Sequence, residues 1–193
     1  VEFGVKHLTL YAFSAENWGR PQEEIDGLME LLVASIHGEL PVLNENGVKL
    51  TTIGDVSKLP AACIDSLSDA VNATSKNDKI NLILALNYSS REEIVSATKK
   101  IVQRVLDGSL APDEINIQEF QQALYTANIP DPELVIRTSG EHRVSNFLLW
   151  QNAYAEFYFT KKMRVIIYAQ YFFSFNYIFY FIKIFFVIFF LSN

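Results

Sequence analysis

Two polar clusters in this sequence carry residue types that could do chemistry. The first is Phe13-Ser14-Ala15-Glu16-Asn17-Trp18-Gly19-Arg20-Pro21, which sets a hydroxyl, a carboxylate, an amide, an indole and a guanidinium within seven residues. Such a set can hold and orient a polar substrate. The competing reading is a solvated loop ahead of a helix start, although an indole is a costly group to leave without a surface to cover. The second cluster is Arg137-Thr138-Ser139-Gly140-Glu141-His142-Arg143-Val144-Ser145-Asn146. A guanidinium fork matches phosphate oxygens, and a glycine turn lets backbone N–H groups approach an anion. Here the competing reading is a surface ion-pair network of Arg137, Glu141 and Arg143. His142 has no partner identifiable in the sequence.

Glu156 stands in the apolar stretch Tyr154–Phe159 and is expected to be buried. A buried carboxylate needs a partner or a metal. Mg²⁺ takes oxygen ligands and commonly bridges to substrate phosphates, so two arginines and an isolated acid suggest a Mg²⁺–diphosphate site. The alternative is that Glu156 pairs with Arg137 or Arg143. No G-x-x-x-x-G-K-[ST], G-x-G-x-x-G or G-x-S-x-G pattern is present.

These clusters must be positioned by the elements before them. Residues 6–13 read as a strand running into the first cluster, and Pro21 opens a helix, as a first-turn proline does. Ile25, Leu28, Met29, Leu32, Ile36 and Leu40 recur at helical spacing, and Asn46-Gly47 ends the segment. A strand is expected over 48–53, a helix over 60–74, and a strand buried on both faces over 80–86. Helices over 91–106 and 117–125 and a strand over 134–136 follow. Alternating strands and helices give an α/β fold with a parallel central sheet, which binds ligands at the carboxyl ends of its strands. Both clusters fall at such ends.

Composition divides the chain. Residues 1–160 hold all 22 acidic and twelve of the 16 basic residues, a net of −10; residues 161–193 hold four basic residues and no acid. The 26 aromatics split evenly across this boundary. The acidic body argues against a general nucleic-acid binder. A single cysteine, Cys63, in an apolar stretch excludes an internal disulfide framework, fits a reducing compartment and reads as a buried thiol. One cysteine and three histidines argue against a structural zinc site.

The segments YAFSAENWGRP and LVIRTSGEHRVSNFLLWQNAYAEFYFT resemble the cis-prenyltransferases, in their bacterial form, and the likeness runs from about Val5 to Thr160. The resemblance implies an enzyme that extends an allylic diphosphate such as farnesyl diphosphate with isopentenyl diphosphate, using Mg²⁺. It further implies a cytoplasmic homodimer with an apolar tunnel for the growing chain, and a polyprenyl product that serves as the membrane lipid carrier of cell-wall precursors. By position, Arg137, Arg143 and Ser145 would hold the isopentenyl diphosphate, and Glu156 would bind Mg²⁺ across the dimer interface. Ser14, Asn17, Trp18 and Arg20 would organise the substrates, with Phe13 beside the prenyl chain. Ala12 would leave room at the tunnel wall, and Ile80 would lie near its deep end.

The sequence also departs from that family. Its opening Asp-Gly-Asn segment, with the key catalytic aspartate and the first strand of the sheet, has no counterpart, so the sheet is expected to be open on one side. The family's C-terminal portion is replaced by residues 161–193. The expected organisation is therefore a partial, inactive cis-prenyltransferase domain over 1–160 and a tail outside the native fold. A frameshift into AT-rich sequence, a membrane span and a partner-binding helix each account for the tail's composition; a central Lys183 costs a span roughly 2.5–3.5 kcal/mol. A second functional reading is a non-catalytic, membrane-tethered subunit of a complete cis-prenyltransferase.

Overall fold

The computed structural model describes residues 4–161 and the backbone of Phe186–Phe189. Six strands form one sheet in the order β2-β3-β1-β6-β4-β5, every adjacent pair parallel. They are β1 (His7–Ser14), β2 (Val48–Ile53), β3 (Ile80–Tyr88), β4 (Leu134–Arg137), β5 (Glu156–Phe159) and β6 (Phe186–Phe189). The helices are α1 (Gln22–Glu45), α2 (Ala61–Ala73), α3 (Ser90–Leu106) and α4 (Ile117–Ala123). The α/β fold with a parallel sheet flanked by helices is the one expected.

Alternation along β3 shows how the sheet is covered. Leu82, Leu84 and Leu86 pack with Phe13, Leu50 and the apolar stripes of α1 and α2, including Ile25, Met29, Ile36, Cys63 and Leu67. Ile83 and Ala85 point the other way, into a core with Tyr11, Val135, Phe147 and Leu148. Both faces are thus dry, which is why INLILAL is nearly continuously apolar. Cys63 is buried, and burial raises its thiol pKa.

Gly54 ends β2 at φ +107, where an added Cβ would stand 2.1 Å from the Leu86 carbonyl oxygen. Only glycine fits that approach. Ala12 falls between Tyr11 and Phe13 at a register shift in the β1–β3 ladder and is exposed. Such an irregularity re-aims the strand's last residues.

Between β1 and β4 stands β6, with Leu8–Tyr11 on one side and Leu134–Ile136 on the other. The sheet expected to lie open for want of a strand is closed there by four residues of the tail. The rest of 162–193, on which the frameshift, membrane-span and partner-helix readings fall, lies outside the described residues. Among those described, no helix is long and apolar enough to cross a membrane.

Candidate functional site

Because β1, β3 and β4 are parallel, Ser14, Tyr88 and Arg137 all arrive at the carboxyl edge of the sheet. The chain then turns through three loops that meet. After β1, Ala15–Gly19 forms one turn of 3-10 helix, closed by the Ser14 N–H donating to Asn17 Oδ1 at 2.8 Å. Trp18 stacks edge-on against Phe13, ring centroids 5.1 Å apart, and its indole N–H donates to Asn87 Oδ1 at 2.7 Å. Asn87 holds φ +45 and donates its own amide to the Asp55 carbonyl at 2.8 Å. Asparagine accepts that left-handed conformation more readily than most residues. Phe13 and Ser14 are buried. Arg20 lies 3.4 Å from Glu24, a half-exposed pair of small energetic weight.

Arg137 ends β4 and is buried, 4% exposed. Burial lowers its pKa, nearby Glu141 opposes that, and Arg143 adds to it; a guanidinium nevertheless remains charged. Ser139, Ser145, Asn146 and Leu148 hold positive φ, alongside Gly140 at φ +70. Non-glycine residues in that region cost energy and gather at functional sites. The Thr160 N–H donates to the Arg137 carbonyl and the Gly140 N–H to the Thr160 carbonyl, both at 2.9 Å, so the end of β5 braces this loop. Arg143 is exposed and pairs with Glu141 at 3.1 Å. The ion-pair alternative is in part realised, yet an exposed pair is weak enough to exchange for an anion. His142 packs against Phe159, the two rings tilted and their centroids 5.0 Å apart, which gives it a packing role.

The two clusters are brought together. Asn146 Nδ2 donates to Glu16 Oε1 at 2.6 Å, directly linking the second loop to the first. Below them lies Tyr11, whose hydroxyl donates to the Tyr88 carbonyl at 3.0 Å. Burial raises its pKa, Glu16 adds to the rise, and Ser14 and Arg137 oppose it. Underneath, Glu93, 1% exposed, accepts from the Tyr88 hydroxyl at 2.5 Å, the Tyr125 N–H at 2.8 Å and Gln151 Nε2 at 3.1 Å.

Glu156 requires correction. It is exposed, at the start of edge strand β5, opposite Leu134. Arg137 is three residues further along β4, about 10 Å at the rise of a strand. A carboxylate among aromatics looked buried; at a sheet edge it is not, and it pairs with neither Arg137 nor Arg143. Among the described residues, no three acidic, histidine or cysteine side chains gather around a point where a metal could bind. Ile80 is buried at the start of β3, far from the site.

Sequence reasoning missed Asn87, Ser89 and Ser90 as supports of the site, and the Glu16–Asn146 link. The polar run Asn87–Ser90, breaking off a nearly continuously apolar strand, is the available signal.

The fold and its loops define the class: a parallel α/β domain with two polar, arginine-bearing loops joined at the carboxyl edge of the sheet. The profile of the undecaprenyl diphosphate synthase family of prenyltransferases matches residues 1–168. An isoprenyl transferase of Clostridium tetani is 52% identical over 157 residues, covering 81% of this chain and 62% of the relative. The farnesyl-diphosphate-specific ditrans,polycis-undecaprenyl-diphosphate synthase of Micrococcus luteus is 48% identical over 161 residues, covering 83% and 65%. Among solved structures, lavandulyl diphosphate synthase from Lavandula x intermedia, in complex with dimethylallyl diphosphate, superposes with a TM-score of 0.80 at 39% identity, covering 82% of this chain and 69% of that one. The chain belongs to the undecaprenyl diphosphate synthase family of prenyltransferases. It spans less than two thirds of the length of these two curated relatives.

Proposed function

We propose that the protein to which this chain belongs condenses isopentenyl diphosphate onto an allylic diphosphate, farnesyl diphosphate, to build a long polyprenyl diphosphate that serves as a membrane lipid carrier. The observation that carries this reading is the buried Arg137 beneath a loop of left-handed residues, with Arg143 at its rim. That arrangement presents a fixed guanidinium and a movable one to a single anion. Residues 1–160 hold every side chain of that arrangement.

In this reading Arg137, Arg143 and Ser145 grip the diphosphate of isopentenyl diphosphate. A guanidinium in a dry site binds phosphate oxygens more strongly than in water. Ser14, Asn17, Trp18 and Arg20 sit on the facing loop and orient the second substrate. Carbon–oxygen cleavage builds negative charge on the departing diphosphate, so cationic donors stabilise the transition state more than the ground state. Phe13 lies under Trp18 within the α1–α2 core, and the prenyl chain would run beside it.

Homodimerisation and Mg²⁺ belong to the same proposal. Glu156, exposed on an edge strand and distant from its own Arg137, is suited to serve a second copy. The matching family is a prenyltransferase, and a Mg²⁺ ion would supply the charge that steadies a departing diphosphate. Cytoplasmic location, with contact to the membrane through the product, follows from the same reading. The retained anion-binding residues favour it over a purely tethering subunit, which needs none of them.

Titration calorimetry of this chain with isopentenyl diphosphate tests the reading. Binding that weakens at least tenfold in Arg137→Ala supports it, and binding indifferent to that change overturns it. Turnover is a separate assay. Robust polyprenyl synthesis by this chain alone, from farnesyl diphosphate, labelled isopentenyl diphosphate and Mg²⁺, would refute the expectation that it is inactive.

A further inference from the structure

Asn146 uses its carbonyl oxygen and both polar atoms of its side chain. The carbonyl oxygen accepts from the Ser90 N–H at 3.0 Å, and its Oδ1 accepts from the Arg91 N–H at 3.0 Å. Its Nδ2 donates to Ser89 Oγ at 2.7 Å and to Glu16 Oε1 at 2.6 Å. A backbone N–H can only donate, so the amide's orientation is forced: oxygen toward Arg91, nitrogen toward Glu16 and Ser89. The residue sits at φ +58, a conformation that asparagine and aspartate tolerate better than most.

Part of this is helix capping. The N-cap residue of α3, Ser89, makes no side-chain cap bond, and Asn146 satisfies the first two N–H groups from another loop. Capping does not require the bond to Glu16, which joins residues 130 apart in sequence. That bond joins the Ser14–Arg20 turn directly to the Arg137–Asn146 loop.

We propose that Asn146 is a positioning residue that clamps the two loops together through Glu16, fixing the first cluster's spacing from Arg137 and Arg143 while touching no substrate itself. This rests on the reading that the two loops form a diphosphate site. It deepens that reading by separating the residues that grip the anion from the residue that holds the grips in register.

Swapping the two side chains tests it. Asn146→Asp keeps the left-handed backbone and both helix-capping acceptors, but sets two carboxylates against each other. Adding Glu16→Gln restores a donor: the amide introduced at position 16 donates to the carboxylate introduced at position 146, and the Ser89 hydroxyl can donate in turn. Glu16→Ala removes the same charge without restoring the bond. With inorganic diphosphate as the calorimetric probe, N146D is expected to bind about tenfold more weakly than wild type, as losing a charge-assisted bond and adding a like-charge contact implies. The E16Q/N146D double variant is expected to recover to within about threefold of wild type and E16A/N146D to stay weak, since only the first rebuilds the pair. Equal recovery in both double variants, or N146D binding like wild type, overturns the clamp and leaves the diphosphate reading standing. If wild type binds no diphosphate, that reading falls instead. The clamp is then decided by amide hydrogen exchange across Ser14–Arg20, which must quicken in N146D and slow again in E16Q/N146D alone.

Discussion

Glu93 gives the sharpest quantitative prediction. Its carboxylate is sealed beneath the site and accepts three hydrogen bonds, from Tyr88, Tyr125 and Gln151. Removing it in Glu93→Ala strands the Tyr88 hydroxyl and the Tyr125 N–H, whereas Gln151 keeps its bond to Thr126 Oγ1 at 2.8 Å. An unsatisfied buried donor costs about 1–3 kcal/mol. Two such donors and the vacated space together give a loss of about 3–5 kcal/mol. Against a typical total of about 5–15 kcal/mol, this brings the domain close to unfolding. Glu93→Gln keeps the shape, but an amide nitrogen set toward Tyr88 also faces the Gln151 Nε2 donor; with the Tyr88 hydroxyl and the Gln151 amide turned to accept, the cost is about 1–2 kcal/mol.

The effect also carries a pH signature. Burial holds the Glu93 pKa above the ordinary 4.5, with the hydrogen bonds from Tyr88, Gln151 and Tyr125 opposing. The folded state therefore keeps its proton at pH values where the unfolded chain has lost it. The stability this contributes is complete below about 4.5 and is lost as pH rises through the folded-state value. The wild-type lead over Glu93→Gln should accordingly widen as pH falls from neutral toward 4.5. Urea titrations followed by circular dichroism at several pH values measure this. A wild-type lead over E93Q that stays constant or narrows on acidification, or an E93A penalty below about 1 kcal/mol, would refute the reasoning.

Other outcomes follow from single contacts. Arg137→Lys exchanges a planar fork for a point charge in a buried site, so isopentenyl diphosphate affinity should fall about tenfold or more, read by calorimetry. Trp18→Phe keeps the ring against Phe13 but loses the bond to Asn87; a cost of about 1 kcal/mol is expected in urea melts followed at Trp150. Gly54→Ala drives a methyl into the Leu86 carbonyl from a left-handed backbone, and thermal melts should show a loss of at least about 2 kcal/mol. In contrast, Tyr154→Ser, at a fully exposed side chain, should leave the melting temperature within error unless a second copy covers it.

What the sequence made legible was whatever repeats at the period of its element. The α1 stripe of Ile25, Met29 and Ile36 and the dry strand β3 follow from spacing alone. Arg137 and Ser14 could be placed at strand ends because hydrophobic runs stop there. Glu156 misled because residue types record a neighbourhood, not an edge: β5 has one flank in the sheet and the other in solvent. The Glu16–Asn146 bond was invisible because it needs the parallel order of the strands before its partners meet. Nor did the left-handed residues at Ser139, Ser145, Asn146 and Leu148 announce themselves, since glycine, the usual marker, occupies only position 140.

The place of β6 has a consequence for the order in which the molecule can be made. The ladders of β2, β3 and β1 use residues 7–88, and those of β4 and β5 use 134–159. Among the described residues, no strand of one half pairs with a strand of the other except through Phe186–Phe189. During synthesis two half-sheets therefore wait, each with an unpaired rim along Leu8–Tyr11 or Leu134–Ile136, until a segment encoded far downstream leaves the ribosome. Pairing at such sequence separation is slow, and an open rim accepts any strand that fits. The first tail to reach the slot can thus belong to a neighbouring nascent chain, so the yield of closed single molecules should fall as polysomes become crowded.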